Sequence, residues 1–129
     1  MKIFKIAFPI MVFLFCFGFF NKAVYSQMKN GDEITIVGEV VDANCYMQDG
    51  SEATGTGHKD CAVTCAKAGS PLAILTKDGV LYYPISGMGK TPNDRLIEYI
   101  AEKVEAKGKY YSQGNSNIGI KISSIKKAD

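Results

Sequence analysis

The chain has 129 residues, with 15 Lys and Arg against 13 Asp and Glu, one His and four Cys, and a formal charge of +2. A charge so near zero lacks the clustered Lys and Arg that hold a protein on phosphate backbones, so no nucleic-acid partner is expected.

Residues 1–26 read as a cleavable signal peptide. Lys2 and Lys5 form its charged start, Ile6 to Phe20 its apolar run, and Val24 and Ser26 the cleavage positions, which puts the cut before Gln27. The run is short of the about 20 residues a helix needs to cross a bilayer, and it contains Pro9, so no stable membrane insertion is expected after cleavage. Cys16 follows Leu14 and Phe15 rather than the small residues a lipidation site needs. A periplasmic or secreted location follows. Removing Lys2, Lys5 and Lys22 lowers the basic count from 15 to 12 and the charge from +2 to −1. Residues 27–129 then suffice for a single domain with a modest core.

Glu33 to Asp42 (EITIVGEVVD) alternates as a strand, with Gly38 marking a bulge or bend. Gln48 to Gly57 is Gly-rich and polar, a loop by composition, and His58 to Ala68 is a short helix stopped by Gly69, Ser70 and Pro71. Leu72 to Thr76 and Val80 to Ile85 form a hairpin turned by Asp78-Gly79. After Gly87 to Gly89, the stripe of Leu96, Ile97, Ile100 and Ala101 predicts a second helix from about Thr91 to Lys103. Val104 to Tyr111 and Ile118 to Ile125 are two more strands.

Three strands, a helix and two strands is the order of an OB-fold. The expected fold class is therefore mainly β, an OB-fold-like five-stranded barrel with a short Cys/His-bearing helix inserted after the first strand. An open α+β sheet with the same strand order is the alternative.

Three cysteines outlast the signal, Cys45, Cys61 and Cys65, and with the single His58 they fall inside a window of 21 residues. On a helix, positions 58, 61 and 65 lie within roughly 60° of one another, so His58, Cys61 and Cys65 would share a face. Cys45, at the end of the first strand, would close the set. A Cys3His cluster suits tetrahedral zinc, and thiolates near a methionine, here Met47, also suit copper(I). Binding would need thiolates and a neutral His58, so affinity should fall with pH. The competing reading is a disulfide from Cys45 to Cys61 or Cys65, stabilising the fold by roughly 3 kcal/mol and leaving one spare thiol. A redox-active cysteine pair is a third reading; a Cys-His hydrolytic pair lacks a visible orienting acid.

The tyrosine pairs Tyr82-Tyr83 and Tyr110-Tyr111 fall on predicted strands, where one of each pair can line a stacking surface for a glycan. Lys121, Lys126 and Lys127 read as solvated surface.

The run Gly38-Glu39-Val40-Val41-Asp42 leading to Cys45, then His58-x-x-Cys61-Ala62-x-x-x-Cys65, Gly69-x-Pro71 and Val104-x-x-x-Gly108 resembles a group of small exported bacterial proteins, and the barrel is similar to periplasmic OB-fold domains. The resemblance covers residues 33 to 125. It implies an exported barrel and points at the same four residues, but brings no activity with it. The expectation is thus a small exported protein that binds a zinc or copper ion through Cys45, His58, Cys61 and Cys65 in a structural, sensing or delivery role. The alternative is a disulfide-stapled OB-fold module whose face meets a protein or glycan partner.

Overall fold

The computed structural model describes residues 27–86, 91–112, 114 and 117–129. The expected signal peptide and the Gly87 to Gly89 connector lie outside the described residues.

Five strands form one sheet, β1 (Glu33–Asp42), β2 (Leu72–Thr76), β3 (Leu81–Pro84), β4 (Lys103–Ser112) and β5 (Ile118–Lys127). The sheet closes on itself in the order β1-β2-β3-β5-β4, with β4 returning to β1. Every pairing is antiparallel except β3 with β5, which is parallel. The strands fall where the alternating patterns put them, because each presents one face to the interior. Ile36 and Val40 of β1, Ile74 of β2, Val104 and Ala106 of β4, and Ile120 and Ile122 of β5 are buried together in the core.

Closure depends on β1 serving two neighbours. Glu33 to Glu39 pair with β4, while Gly38 to Asp42 pair with β2, so the strand changes partner at the glycine. A Cβ at Gly38 would run into the backbone carbonyl of Leu75. The expected bend is therefore a close backbone approach as well. Gly108 has the same role in β4: the register with β5 shifts between Lys107 and Gly108, and a Cβ there would strike the Lys121 carbonyl.

Between β1 and β2 the chain builds two helices, α1 (Ala43–Asp49) and α2 (Lys59–Lys67), joined by 3-10 turns at Gly50–Ala53 and Thr56–His58. The Gln48 to Gly57 stretch is thus only partly the loop its composition suggests. Helix α2 meets its expected bounds to within a residue. It buries Ala62 and Ala66, one turn apart, in the core. Its end is a Schellman arrangement, with Gly69 at φ 103, Gly69 N–H donating to Ala66 O at 3.1 Å and Ser70 N–H to Cys65 O at 2.9 Å.

The helix expected from Thr91 to Lys103 is corrected to two 3-10 turns, Pro92–Arg95 and Ile97–Tyr99. The apolar positions were rightly placed, since Leu96 and Ile100 are 0% and 1% exposed. The backbone bonds elsewhere: Ile100 bridges Val40 of β1, Ala101 N–H donates to Val40 O at 2.9 Å, and Val40 N–H donates to Glu102 O at 3.1 Å. Those bonds to β1 draw residues 100–102 out of a helical path, with Ala101 at φ 63.

Candidate metal centre

The end of β1 leads straight into the site. Asp42 is its last residue, fully buried, and serves as N-cap of α1: its Oδ1 accepts from Cys45 N–H at 2.9 Å. That bond seats Cys45 in the first turn of α1, not on the strand as the sequence suggests. On the facing helix α2, Cys61 and Cys65 are one turn apart. They lie beside the Ala62 and Ala66 face that packs on the core, which brings Cys65 to the half-buried edge and leaves Cys61 exposed.

These placements gather a carboxylate oxygen of Asp42 and the sulfurs of Cys45 and Cys65 within 4.8 Å of one another. Cys61 adjoins the group through Cys65. No disulfide joins the three cysteines. His58 caps α2 from outside the helix, at φ −99 and ψ −2, and does not belong to the three-residue group.

Electrostatics at the site disfavour thiolates in the absence of a cation. The Cys45 thiol is pushed up from 9.0 to about 11, first by burial, then by the Asp42 carboxylate, then by the neighbouring thiols. Cys65 is raised as well, by burial first and then by Cys61. Asp42 itself is a costly residue to bury, since an isolated carboxylate away from water loses several kcal/mol unless it is paired. Its Oδ2 has no hydrogen-bond partner among the described residues. His58 Nε2 is buried and unpartnered in the same way.

The donor set fits a metal. Two sulfurs and a carboxylate oxygen are ligands zinc accepts, and tetrahedral zinc with Zn–S near 2.3 Å holds its donors about 3.8 Å apart. Contraction by about 1 Å, within reach of side-chain rotation, would bring this group to that spacing. A bound cation would pair with the buried Asp42 carboxylate and would reverse the pressure that keeps the thiols protonated. Copper(I) prefers the thiolates and is less suited to the carboxylate. Met47, two residues past Cys45, is exposed.

Of the four residues expected from the sequence, the structure brings Cys45 and Cys65 together, and beside them it places Asp42, which the sequence reading did not name as a ligand. The available signal was an Asp three residues ahead of a Cys where a strand gives way to a short polar segment, the pattern of an N-cap.

A second feature shares none of these residues. A cleft of about 1030 Å³ runs between β1, the β2-β3 hairpin and the α1 segment, lined in part by Thr35, Glu39, Tyr46, Thr54, Lys77 and Tyr82. Glu39 is fixed there by accepting from Gly55 N–H. Tyr82, one of the four strand tyrosines singled out from the sequence, is mostly buried at this cleft. Lys126 and Lys127 pair at the surface with Glu105 and Glu102, at 3.6 and 3.5 Å. Among the described residues no helix is long and apolar enough to cross a membrane.

No described protein family, curated protein or solved structure matches the chain.

Proposed function

We propose that this is an exported OB-fold-like domain that binds one transition-metal ion, zinc in preference to copper, where β1, α1 and α2 meet. The OB-fold reading is supported by the strand order β1-β2-β3-β5-β4-β1, the parallel β3-β5 seam and a first strand shared between two neighbours. The metal reading is carried by one observation. A fully buried Asp42, one of whose carboxylate oxygens has no hydrogen-bond partner among the described residues, brings a carboxylate oxygen within 4.8 Å of two thiol sulfurs on two different helices. Cys61 and His58 are the further donors that would complete four-fold coordination. A closed set of four gives the metal a structural role, and a set of three leaves a position through which an ion can be delivered or sensed.

The test is zinc content and thiol counting on protein prepared without chelators. About one equivalent of zinc per chain is expected, with thiols that react only after acid or chelator removes the metal. Cys45→Ala and Cys65→Ala should each abolish it. Asp42→Asn and His58→Ala decide the rest: loss with the first alone assigns Asp42, loss with the second alone assigns the Cys3His set. Equal zinc in wild type and in the Cys45→Ala/Cys65→Ala double variant would overturn the reading.

The cleft favours a second reading, a module that binds a glycan or protein segment over Tyr46 and Tyr82, with Thr35 and Thr54 as hydrogen-bonding groups. Its mixed apolar and hydroxyl lining is of the kind that holds sugars by stacking and hydrogen bonds. Tyr46→Ala should weaken such a ligand and leave zinc content unchanged.

A further inference from the structure

We propose that Cys45 and Cys65 form a reversible disulfide by exchange with an external low-molecular-weight disulfide, and that this disulfide and the metal exclude each other at one site. The second part rests on the metal reading above; the first part does not.

Geometry selects the pair. The sulfurs of Cys45 and Cys65 are within 4.8 Å of each other and sit on separate helices, so the bond would join α1 to α2. Of the two competing pairs, Cys45 with Cys61 is disfavoured because Cys61 is exposed and outside the Asp42, Cys45 and Cys65 group, and Cys61 with Cys65 because they stand one turn apart on the same helix. Side chains at that spacing have Cβ atoms about 5–6 Å apart, and a disulfide needs about 3.5–4.5 Å. Joining them would distort α2, whose Ala62 and Ala66 are fixed in the core. Joining Cys45 to Cys65 asks only that α1 and α2 close by about 2–3 Å at the sulfurs. The link between those helices is short 3-10 turns and contains Gly50 and Gly55 at φ 60 and 76. Such a link accommodates a small adjustment more readily than the sheet does.

The chemistry balances without another reagent. The Cys65 thiolate attacks one sulfur of the external disulfide R–S–S–R. A Cys65–S–R bond forms, the external S–S bond breaks, and one R–S⁻ leaves and takes up the Cys65 proton. Cys45 then attacks the Cys65 sulfur, with the Asp42 carboxylate, which has an oxygen within the same cluster, placed to receive its proton. The Cys45–Cys65 bond forms as the second R–S⁻ leaves, and that proton passes to it. Two cysteine thiols are oxidised, one external disulfide is reduced to two thiols, and two electrons move. The exposed Cys61 takes no part in the internal bond. Metal binding needs thiolates, and the sulfurs of a disulfide carry no such charge, so two of the donors are lost when the bond forms.

The experiment incubates the metal-free protein with oxidised glutathione, alkylates with iodoacetamide and maps the digested peptides by mass spectrometry. The expected product links the Cys45 and Cys65 peptides, leaves Cys61 outside the link, alkylated or as a glutathione adduct, and reverts on adding reduced glutathione in excess. Cys61→Ala should give the same link, and Cys45→Ala should stop at a glutathione adduct on Cys65. A link that includes Cys61, or adducts without an internal bond in the wild type, would overturn the proposed pair. The reaction is then repeated with zinc at about 100 times its dissociation constant, where the metal-free fraction is about 1% and the rate should fall about 100-fold. If the Cys45–Cys65 bond forms at the same rate with zinc present, the exclusion and the metal reading both fail while the disulfide stands.

Discussion

Asp42 divides its carboxylate between two tasks. One oxygen caps α1 through the Cys45 amide, the other has no hydrogen-bond partner among the described residues, and the carboxylate as a whole adjoins the thiols. Asn caps a helix about as well as Asp, so Asp42→Asn should keep α1 and remove only the charge. Because that charge is the second cause, after burial, of the rise of Cys45 to about 11, the variant should bring the thiol down toward 9.0. A fall of one pH unit in its titration midpoint makes Cys45 react about tenfold faster with iodoacetamide at mildly alkaline pH, read by peptide mapping. The same shift has a consequence for stability. In the metal-free protein the folded state holds the Cys45 proton up to about 11, whereas the unfolded chain releases it near 9.0. The folded state then binds more protons across that interval, so the stability present below about pH 9 is lost as pH rises toward 11. Urea unfolding of wild type and Cys45→Ser at about pH 8 and about pH 10.5 checks this: the wild type should lose more stability than the variant. Equal losses would mean that Cys45 titrates alike in both states.

At the scale of elements, the C-terminal end of α2 is tied to a distant turn by the side chain of Asn93. Asn93 Oδ1 accepts from Leu72 N–H at 2.9 Å, and its Nδ2 donates to Ser70 O at 2.8 Å and to Ala66 O at 3.4 Å. The turn from Pro92 to Arg95 thus ties the end of α2 to the start of β2. Asn93→Ala leaves the amide of the buried Leu72 without its acceptor, and the expected cost is about 1–3 kcal/mol in urea unfolding. A cost within error of zero would show that solvent replaces those bonds. The ion pairs on the outside, Lys59 and Lys127 to Glu102 and Lys126 to Glu105, join exposed or half-exposed side chains and contribute far less.

For the whole molecule, ring closure turns on the glycine at which β1 leaves β4 for β2. In Gly38→Ala the added carbon meets the Leu75 carbonyl and the Ile74 side chain. Backbone cannot rotate away as a side chain can, so the strands must part, at an expected cost of about 3 kcal/mol in chemical denaturation. Unchanged stability would mean that the sheet yields at this seam. Because β1 ends at Asp42, a parting there should also lower affinity at the proposed zinc site, which separates a closure effect from a remote one. The site is thus placed by the ring: the end of one strand supplies the acid, and the excursion before the next strand supplies the thiols.

The sequence by itself determined the strands and the cysteines that come together at the end of the first of them. Alternation around Ile36, Val40, Ile74 and Ile120 reports a buried face wherever that face packs, and Asp78-Gly79 sets a hairpin locally, with Gly79 at φ 80. Tertiary structure decided the rest, because each remaining feature depends on a partner far along the chain. Helix α1 has one buried residue and no apolar stripe to announce it; it forms on the Asp42 cap. The Leu96 and Ile100 stripe is genuine, but β1 takes the hydrogen bonds that a helix would have used. His58 falls on the Cys61 and Cys65 face only if the helix reaches it, and the helix begins at Lys59. Asp42, invisible in a search for Cys and His, is brought to the thiols by the packing of α2 across the end of β1. Periodicity records which face of an element is buried, whereas a binding site records which elements meet, and that is fixed only by the closed sheet.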